Sequence, residues 1–230
     1  MEFKSEKTKN WISISVAVAL CFFVLFLPTR VLNYYLSLSF ENAFYISRFL
    51  LWFGLLCLFI YVKKVERQKF LRWEEKKYSI VFYIISIPTL LIVTLIGLIF
   101  FSIIMFLTDG LPKPSNTFLQ ITLLFRDNYP LTIFTCFTAA VVEELIFRGY
   151  IQTRLQIIFK NKFTPIIISS VLFGILHIGF GTLINVLGPI CIGLVFALFY
   201  EKYRNIKVLM ICHFLWDFLL IMLQLHFKLK

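Results

Sequence analysis

Residues 78–107 read YSIVFYIISIPTLLIVTLIGLIFFSIIMFL, thirty positions without a carboxylate, an amine or a guanidinium. A spanning helix needs roughly 20 mostly apolar residues, so this run can cross a bilayer with room for tilt. Pro88 lacks an N–H and marks the expected kink. Lipid, rather than a protein core, is the solvent that suits such a segment.

Six further stretches qualify as spans: about 11–27, 44–62, 130–147, 164–180, 184–200 and 207–225. The whole chain agrees with them. Of its 230 residues 60% are hydrophobic and 15% charged, against roughly 45–50% and 25% for soluble globular proteins. That composition excludes a soluble enzyme, a disordered segment and a secreted disulfide scaffold. The expected fold class is all-α: a polytopic membrane bundle of about seven transmembrane helices. Lys4, Lys7 and Lys9 before the first stretch resemble the start of a signal peptide. The apolar run is longer than the usual 7–15 residues, however, and it leads to Pro28-Thr29-Arg30 without a small-x-small cleavage site, so a retained span is expected.

The formal net charge is +11, which would suit nucleic acid. The charges are nevertheless gathered in short Lys/Arg clusters between apolar runs, with no basic groove interleaved with aromatic residues, so no nucleic-acid partner is expected. With seven spans and the N-terminus in the cytosol, segments 1–10, 63–77, 148–163 and 201–207 lie inside and hold 17 Lys/Arg; the outer segments hold 5. This bias predicts a cytosolic N-terminus and an outer C-terminus. Arg48 is left within a span, near its outer end, where it can snorkel. Segment 63–77 reads either as an interfacial helix on anionic lipid or as a solvated linker. Segment 108–129 reads as a loop followed by an interfacial piece. The five Cys (Cys21, Cys57, Cys136, Cys191, Cys212) sit in apolar stretches without CxxC spacing, so neither disulfides nor thiolate metal sites are expected.

Ionisable groups at membrane depth are costly and mark function by default. Five stand on three late spans: Glu143, Glu144, His177, His213 and Asp217. Convergence of the three would make one polar cavity. Glu144 and Arg148 are i,i+4 neighbours with the acid on the favourable side. Glu143 points about 100° away and lacks that partner, the condition under which a carboxylate in a low-dielectric cavity can act as a general base. Both acids joined with Arg148 in a structural ion-pair network is the plain alternative. Phe173 and His177 share a helix face, and His213 and Asp217 are again i,i+4. An acid one turn from a His fixes its tautomer and frees the other nitrogen for a ligand. Counting the 1.5 Å rise per residue from Arg154, Lys162 and Arg204 as cytosolic markers puts Glu143 about 16 Å in, His177 about 22 Å and His213 about 13 Å. One site opening towards the cytosol is therefore expected.

The ordered trio EExxxR, FxxxH and HxxxD, in the contexts EELIFRGYIQTRL, SSVLFGILHIGFG and IKVLMICHFLWDFLL, resembles the CAAX protease and bacteriocin-processing (Abi) family, which includes the type II CaaX prenyl endopeptidases. The resemblance covers about residues 130–220. It implies an all-helical membrane protease, expected in a bacterial cytoplasmic membrane, with 1–125 as N-terminal spans plus a cytosolic loop and 126–230 as the catalytic core. Glu143 and His177 would activate water, His213 and Asp217 would stabilise the oxyanion, and Glu144, Arg148 and Phe173 would support the site. Many relatives carry Asn where this chain has Asp217. An ionised Asp cannot donate a hydrogen bond, so orienting His213 is the role that suits it.

No obligatory cofactor is expected. The residue types Glu143, His177 and His213 also suit zinc with an open fourth position, although the H-E-x-x-H spacing that presets two ligands is lacking. The expected partners are the lipid bilayer and a membrane-associated protein or peptide substrate. Two other classes compete. A non-catalytic immunity or regulatory protein could retain the same fold. A transporter would spread its charges along a path with matching halves, whereas here they cluster in the C-terminal half and no repeat is visible.

Overall fold

The computed structural model describes residues 8–21, 37–109, 116–126, 128–159 and 161–228. The described residues form an all-helical bundle without a strand. α1 covers 8–21. α2 (Phe40–Tyr61) starts on Ser39, whose Oγ accepts from Asn42 N at 3.3 Å. α3 is Ile80–Asp109 and α4 Asn116–Arg126. α5 (Tyr129–Glu144) starts on the Asn128 side chain, widens into a π-helical stretch at Leu145–Gln152 and continues as α6 (Thr153–Ile158). α7 (Phe163–Ile175) tightens into a 3₁₀ turn at Leu176–Phe180, and α8 (Ile184–Tyr203) and α9 (Ile206–Lys228) complete the chain.

Six helical stretches among the described residues are long and apolar enough to cross a membrane: Phe40–Glu66, Ile80–Leu107, Tyr129–Ile158, Phe163–Phe180, Ile184–Tyr203 and Ile206–His226. They match the second to seventh expected spans. The first, 11–27, begins in α1 and runs into residues outside those described. The bundle's surface carries large apolar side chains such as Phe49, Phe53, Ile84, Phe100 and Leu107. This is the reverse of a water-soluble surface, and it identifies an integral membrane protein. α3 continues through Pro88 as one helix.

Two side-chain pairs show that α2 and α5 run side by side in the same direction: Phe49 with Phe134, and Trp52 Nε1 donating to Thr138 Oγ1 at 3.0 Å; Phe44 meets Phe125 of α4. α9 lies antiparallel against α5, and α7 and α8 pack tightly. A Cβ added to Gly174 of α7 would stand 2.2 Å from Ile190 Cγ1 and 2.6 Å from the Val186 carbonyl oxygen of α8. Only a hydrogen at that position lets the two backbones approach so closely.

Two expectations need correction. Segment 63–77 is not an interfacial helix; it is a linker whose Lys and Arg are mostly exposed but which is anchored to the bundle by Phe70 and Glu75. After a π-helical turn (Val62–Glu66) the chain is irregular and folds over the end of the bundle. Phe70 stacks on Phe59 and packs against Tyr150; Glu75 accepts from Tyr200 Oη at 2.8 Å and from the Ile206 N–H at 2.7 Å. These two bonds satisfy a buried phenol and an orphan N–H at the start of α9, which is why the segment is ordered without helix. The second correction concerns Arg148 and Arg154. Counted as end-marking charges, both are buried inside the span Tyr129–Ile158. Arg154 Nη2 bonds Glu66 Oε2 at 2.5 Å, and its guanidinium lies over the Tyr150 ring; Tyr150 Oη donates to Glu66 Oε1. Pairing removes the cost that would otherwise force such a charge to the interface.

Candidate active site

Near the middle of the Tyr129–Ile158 span, α5 passes into the π-helical stretch at its two acids. Glu144 is fully buried. Its Oε1 takes Arg148 Nη1 at 2.9 Å, as the i,i+4 spacing predicts, and also His213 Nδ1 of α9 at 2.8 Å. Arg148 Nη2 donates to the Gly193 carbonyl of α8 at 3.4 Å, and its guanidinium lies over the Phe173 ring at 4.5 Å and near Phe196 at 5.7 Å. Hydrogen bonds and two ring faces therefore hold this cation in the bundle.

The other nitrogen of His213 faces two more carboxylates. Nε2 lies 3.5 Å from Asp217 Oδ2 and 3.9 Å from Glu143 Oε2. Carboxylates only accept, so Nδ1 carries the hydrogen it gives to Glu144, and Nε2 faces the other two acids at ion-pair distance. The distance to Glu143 is too long for a direct hydrogen bond. Glu143 Oε2 is buried without a hydrogen-bond partner among the described residues. A buried acceptor left open in this way is a place for a water or a substrate hydrogen.

His177 joins no ion pair of this group among the described residues. It lies not in α7 but in the 3₁₀ turn that follows, half-buried, with Nδ1 2.9 Å from the Phe173 carbonyl oxygen. A carbonyl can only accept, so Nδ1 carries the hydrogen and Nε2 keeps its lone pair. Phe173 connects the two imidazoles, with its ring 4.9 Å from His177 and 6.0 Å from His213. The structure thus brings Glu143, Glu144, Arg148, His213 and Asp217 into one cluster, with His177 and His213 both against the Phe173 ring.

Glu143, His177 and His213 do not fit zinc as they stand. No group of three His, Cys, Asp or Glu side chains among the described residues is placed to hold a metal ion. Zinc needs three or four ligands converging at about 2.0–2.2 Å from one point, which no such group among the described residues supplies. No step below is routed through a metal.

Sequence reasoning missed two contributors on α8, Gly193 and Phe196. The signal was the glycine. A Cβ there would come 3.1 Å from Ser170 Cα and Cβ, so Gly193 lets α8 press against α7 and bring its carbonyl to Arg148.

Residues 125–219 match the family model described as type II CAAX prenyl endopeptidase Rce1-like, which spans the whole cluster. No curated protein and no solved structure matches the chain.

Proposed function

From the premise that residues 125–219 are a domain of the Rce1-like family, a family of proteases, we propose that this protein is a membrane-embedded endopeptidase with Glu143 as its general base. The observation that carries this reading is the open, buried Glu143 Oε2, with His213 Nε2 3.9 Å away. Amide hydrolysis needs a base for water, donors for the oxyanion and a proton for the leaving amine. Glu143 takes a proton from water as the water oxygen bonds to the scissile carbonyl carbon. His213 Nε2–H donates to the oxyanion that forms. When the oxyanion reforms the carbonyl, the C–N bond breaks and Glu143 returns its proton to the leaving nitrogen.

Asp217 orients His213 from one turn away, and Glu144 holds it from the opposite nitrogen. Glu144 and Arg148 keep the cluster assembled. His177, with Nε2 free to accept, serves as a second acceptor for water or substrate beside Phe173. The substrate is a membrane-associated protein or peptide, and residues 126–230 form the catalytic core, with the first 125 residues flanking it. The end of the bundle carrying segment 63–77 and Lys202 faces the cytosol of a bacterial cell, supported by the concentration of Lys and Arg there. Comparing membrane peptides by mass spectrometry from cells holding the wild type or Glu143→Gln tests the reading. Peptides that depend on Glu143 support it; identical peptide sets, with both proteins inserted at equal levels, refute it.

A further inference from the structure

Segment 63–77 sorts its charges. Glu66 pairs with the buried Arg154, and Glu75 bonds Tyr200 Oη and the Ile206 N–H, so two of its acids are engaged within the bundle. Glu74 is exposed. The Lys and Arg of the segment are exposed too, apart from the half-buried Arg72. With two acids drawn inward, the outer face of the segment is positive.

A second basic stretch is joined to it. The Lys76 N–H donates to the Arg204 carbonyl at 3.0 Å, Asn205 Nδ2 donates to the Lys76 carbonyl at 3.1 Å, and Tyr78 Oη donates to the Tyr203 carbonyl at 3.0 Å. These bonds hold the turn between α8 and α9 against the end of segment 63–77. The turn exposes Lys202, Arg204 and Lys207; the segment exposes Lys76 and Lys77 beside them. The Arg204 guanidinium lies over the Trp73 ring, 5.3 Å from its centroid. Stacking occupies the face of a guanidinium and leaves its N–H edge to a phosphate. Arg204 ends α8 at φ 49°, where glycine is the residue of least cost, so a cation is kept at a position the backbone would give to glycine.

The spans fix the level of this joint. Phe40–Glu66 and Ile184–Tyr203 end beside it, and Ile80–Leu107 and Ile206–His226 begin there. Trp73, Tyr78 and Tyr203 are of the ring types that gather at lipid headgroups. Bases just outside a span stand within reach of headgroup phosphates.

We propose that the joint between segment 63–77 and the α8–α9 turn binds the phosphate of an anionic lipid headgroup, with Lys76, Lys77, Arg204 and Lys207 as its cations. Glu74 and the half-buried Glu201 lie in the same two stretches, but the five exposed bases, Lys202 included, outnumber them. A bound headgroup clips together the connections that hold α2, α3, α8 and α9 at this end. It stabilises the bundle without touching Glu143 or His213, so the proposal stands apart from the endopeptidase reading.

The test uses the purified full chain in phosphatidylcholine vesicles with and without phosphatidylglycerol. Quenching of Trp73 by brominated lipids reads the preference of the joint for one headgroup over the other, with Trp73→Phe as the background. The wild type should prefer phosphatidylglycerol and melt at a higher temperature with it. Lys76→Gln, Lys77→Gln and Lys207→Gln combined should lower that preference by about 10²-fold, the weight of three lysines at an anionic surface. The melting temperature of this variant in phosphatidylcholine alone should equal that of the wild type, which separates lost binding from lost folding. Lys63→Gln, Lys64→Gln and Lys69→Gln combined remove the same charge from the other part of the segment and should retain most of the preference. A wild type without preference for phosphatidylglycerol overturns the proposal. An equal loss in the two triple variants also overturns it, since net charge alone then attracts the lipid. So does inorganic phosphate that raises the melting temperature in phosphatidylcholine as much as phosphatidylglycerol does, since the ligand is then a free anion.

Discussion

His213 Nδ1 lies 2.8 Å from Glu144 Oε1, across 69 residues of chain, and the same oxygen receives Arg148 Nη1 at 2.9 Å. One carboxylate oxygen therefore fixes the imidazole of α9 and the guanidinium that anchors α8. The adjacent acid, Glu143, makes no such bonds with its Oε2. Glu144 Oε2 is without a partner as well among the described residues, so the two glutamates differ in what they hold: Glu144 fixes a guanidinium and an imidazole through Oε1, and Glu143 takes part in neither bond.

That difference predicts opposite phenotypes. Glu144→Gln leaves two buried cations facing one neutral amide, and breaking a buried pair costs about 3–5 kcal/mol. Thermal unfolding in detergent should show a large loss of stability for Glu144→Gln, while Glu143→Gln melts within about 1 kcal/mol of wild type, as expected where no stabilising contact is removed. Proteolysis should fall about 10²–10⁴-fold in Glu143→Gln, the usual weight of a general base.

Phe173 is the shared wall of the site, with Arg148 over its face and both imidazoles at its edges. Phe173→Leu keeps an apolar side chain but removes the π face, worth about 0.5–2 kcal/mol to the cation. A melting curve should show that loss, and turnover should fall because Phe196 is then the one remaining ring against the Arg148 plane among the described residues.

The Glu66–Arg154 pair ties segment 63–77 to α6, about three helical turns beyond Glu143. Arg154→Met should destabilise the fold by about 3–5 kcal/mol by leaving Glu66 unpaired. Arg154→Lys should restore only part of this, since a point charge replaces a fork stacked on Tyr150. Cleavage per folded molecule should stay near wild type in both, measured against the fraction that melts cooperatively.

Gly174→Ala drives a methyl into Ile190 and the Val186 carbonyl. Overpacking of this kind costs about 1–3 kcal/mol. Because the 3₁₀ turn bearing His177 begins two residues on, separation of α7 from α8 should lower activity beyond the loss of folded protein. Single-turnover cleavage at equal folded concentration checks it.

The spans were legible because a bilayer demands a minimum apolar length and little else. The pairs Glu144–Arg148 and His213–Asp217 were legible because four residues make one helical turn. What joins those pairs was not legible. The bond from His213 to Glu144 and the Gly193 carbonyl beneath Arg148 both depend on how separate helices face one another. A single chain carries no periodic signal for that. Segment 63–77 was legible in part. Its bases suggested solvent or lipid and are mostly exposed, while the anchoring by Glu66 and Glu75 was hidden, each meeting a buried partner more than 80 positions away. The 3₁₀ turn at His177 was likewise hidden, since a pattern FxxxH reads as α-helix until Gly181, at φ 82°, ends the element.

The central claim is that Glu143 activates water for peptide hydrolysis inside the membrane. Its most direct measurement is cleavage in ¹⁸O-water by membranes holding wild type or Glu143→Gln, with new peptide C-termini read by mass spectrometry. The account predicts new C-termini carrying the heavy oxygen with the wild type and none with the variant. The same labelled C-termini at the same yield from Glu143→Gln would contradict it.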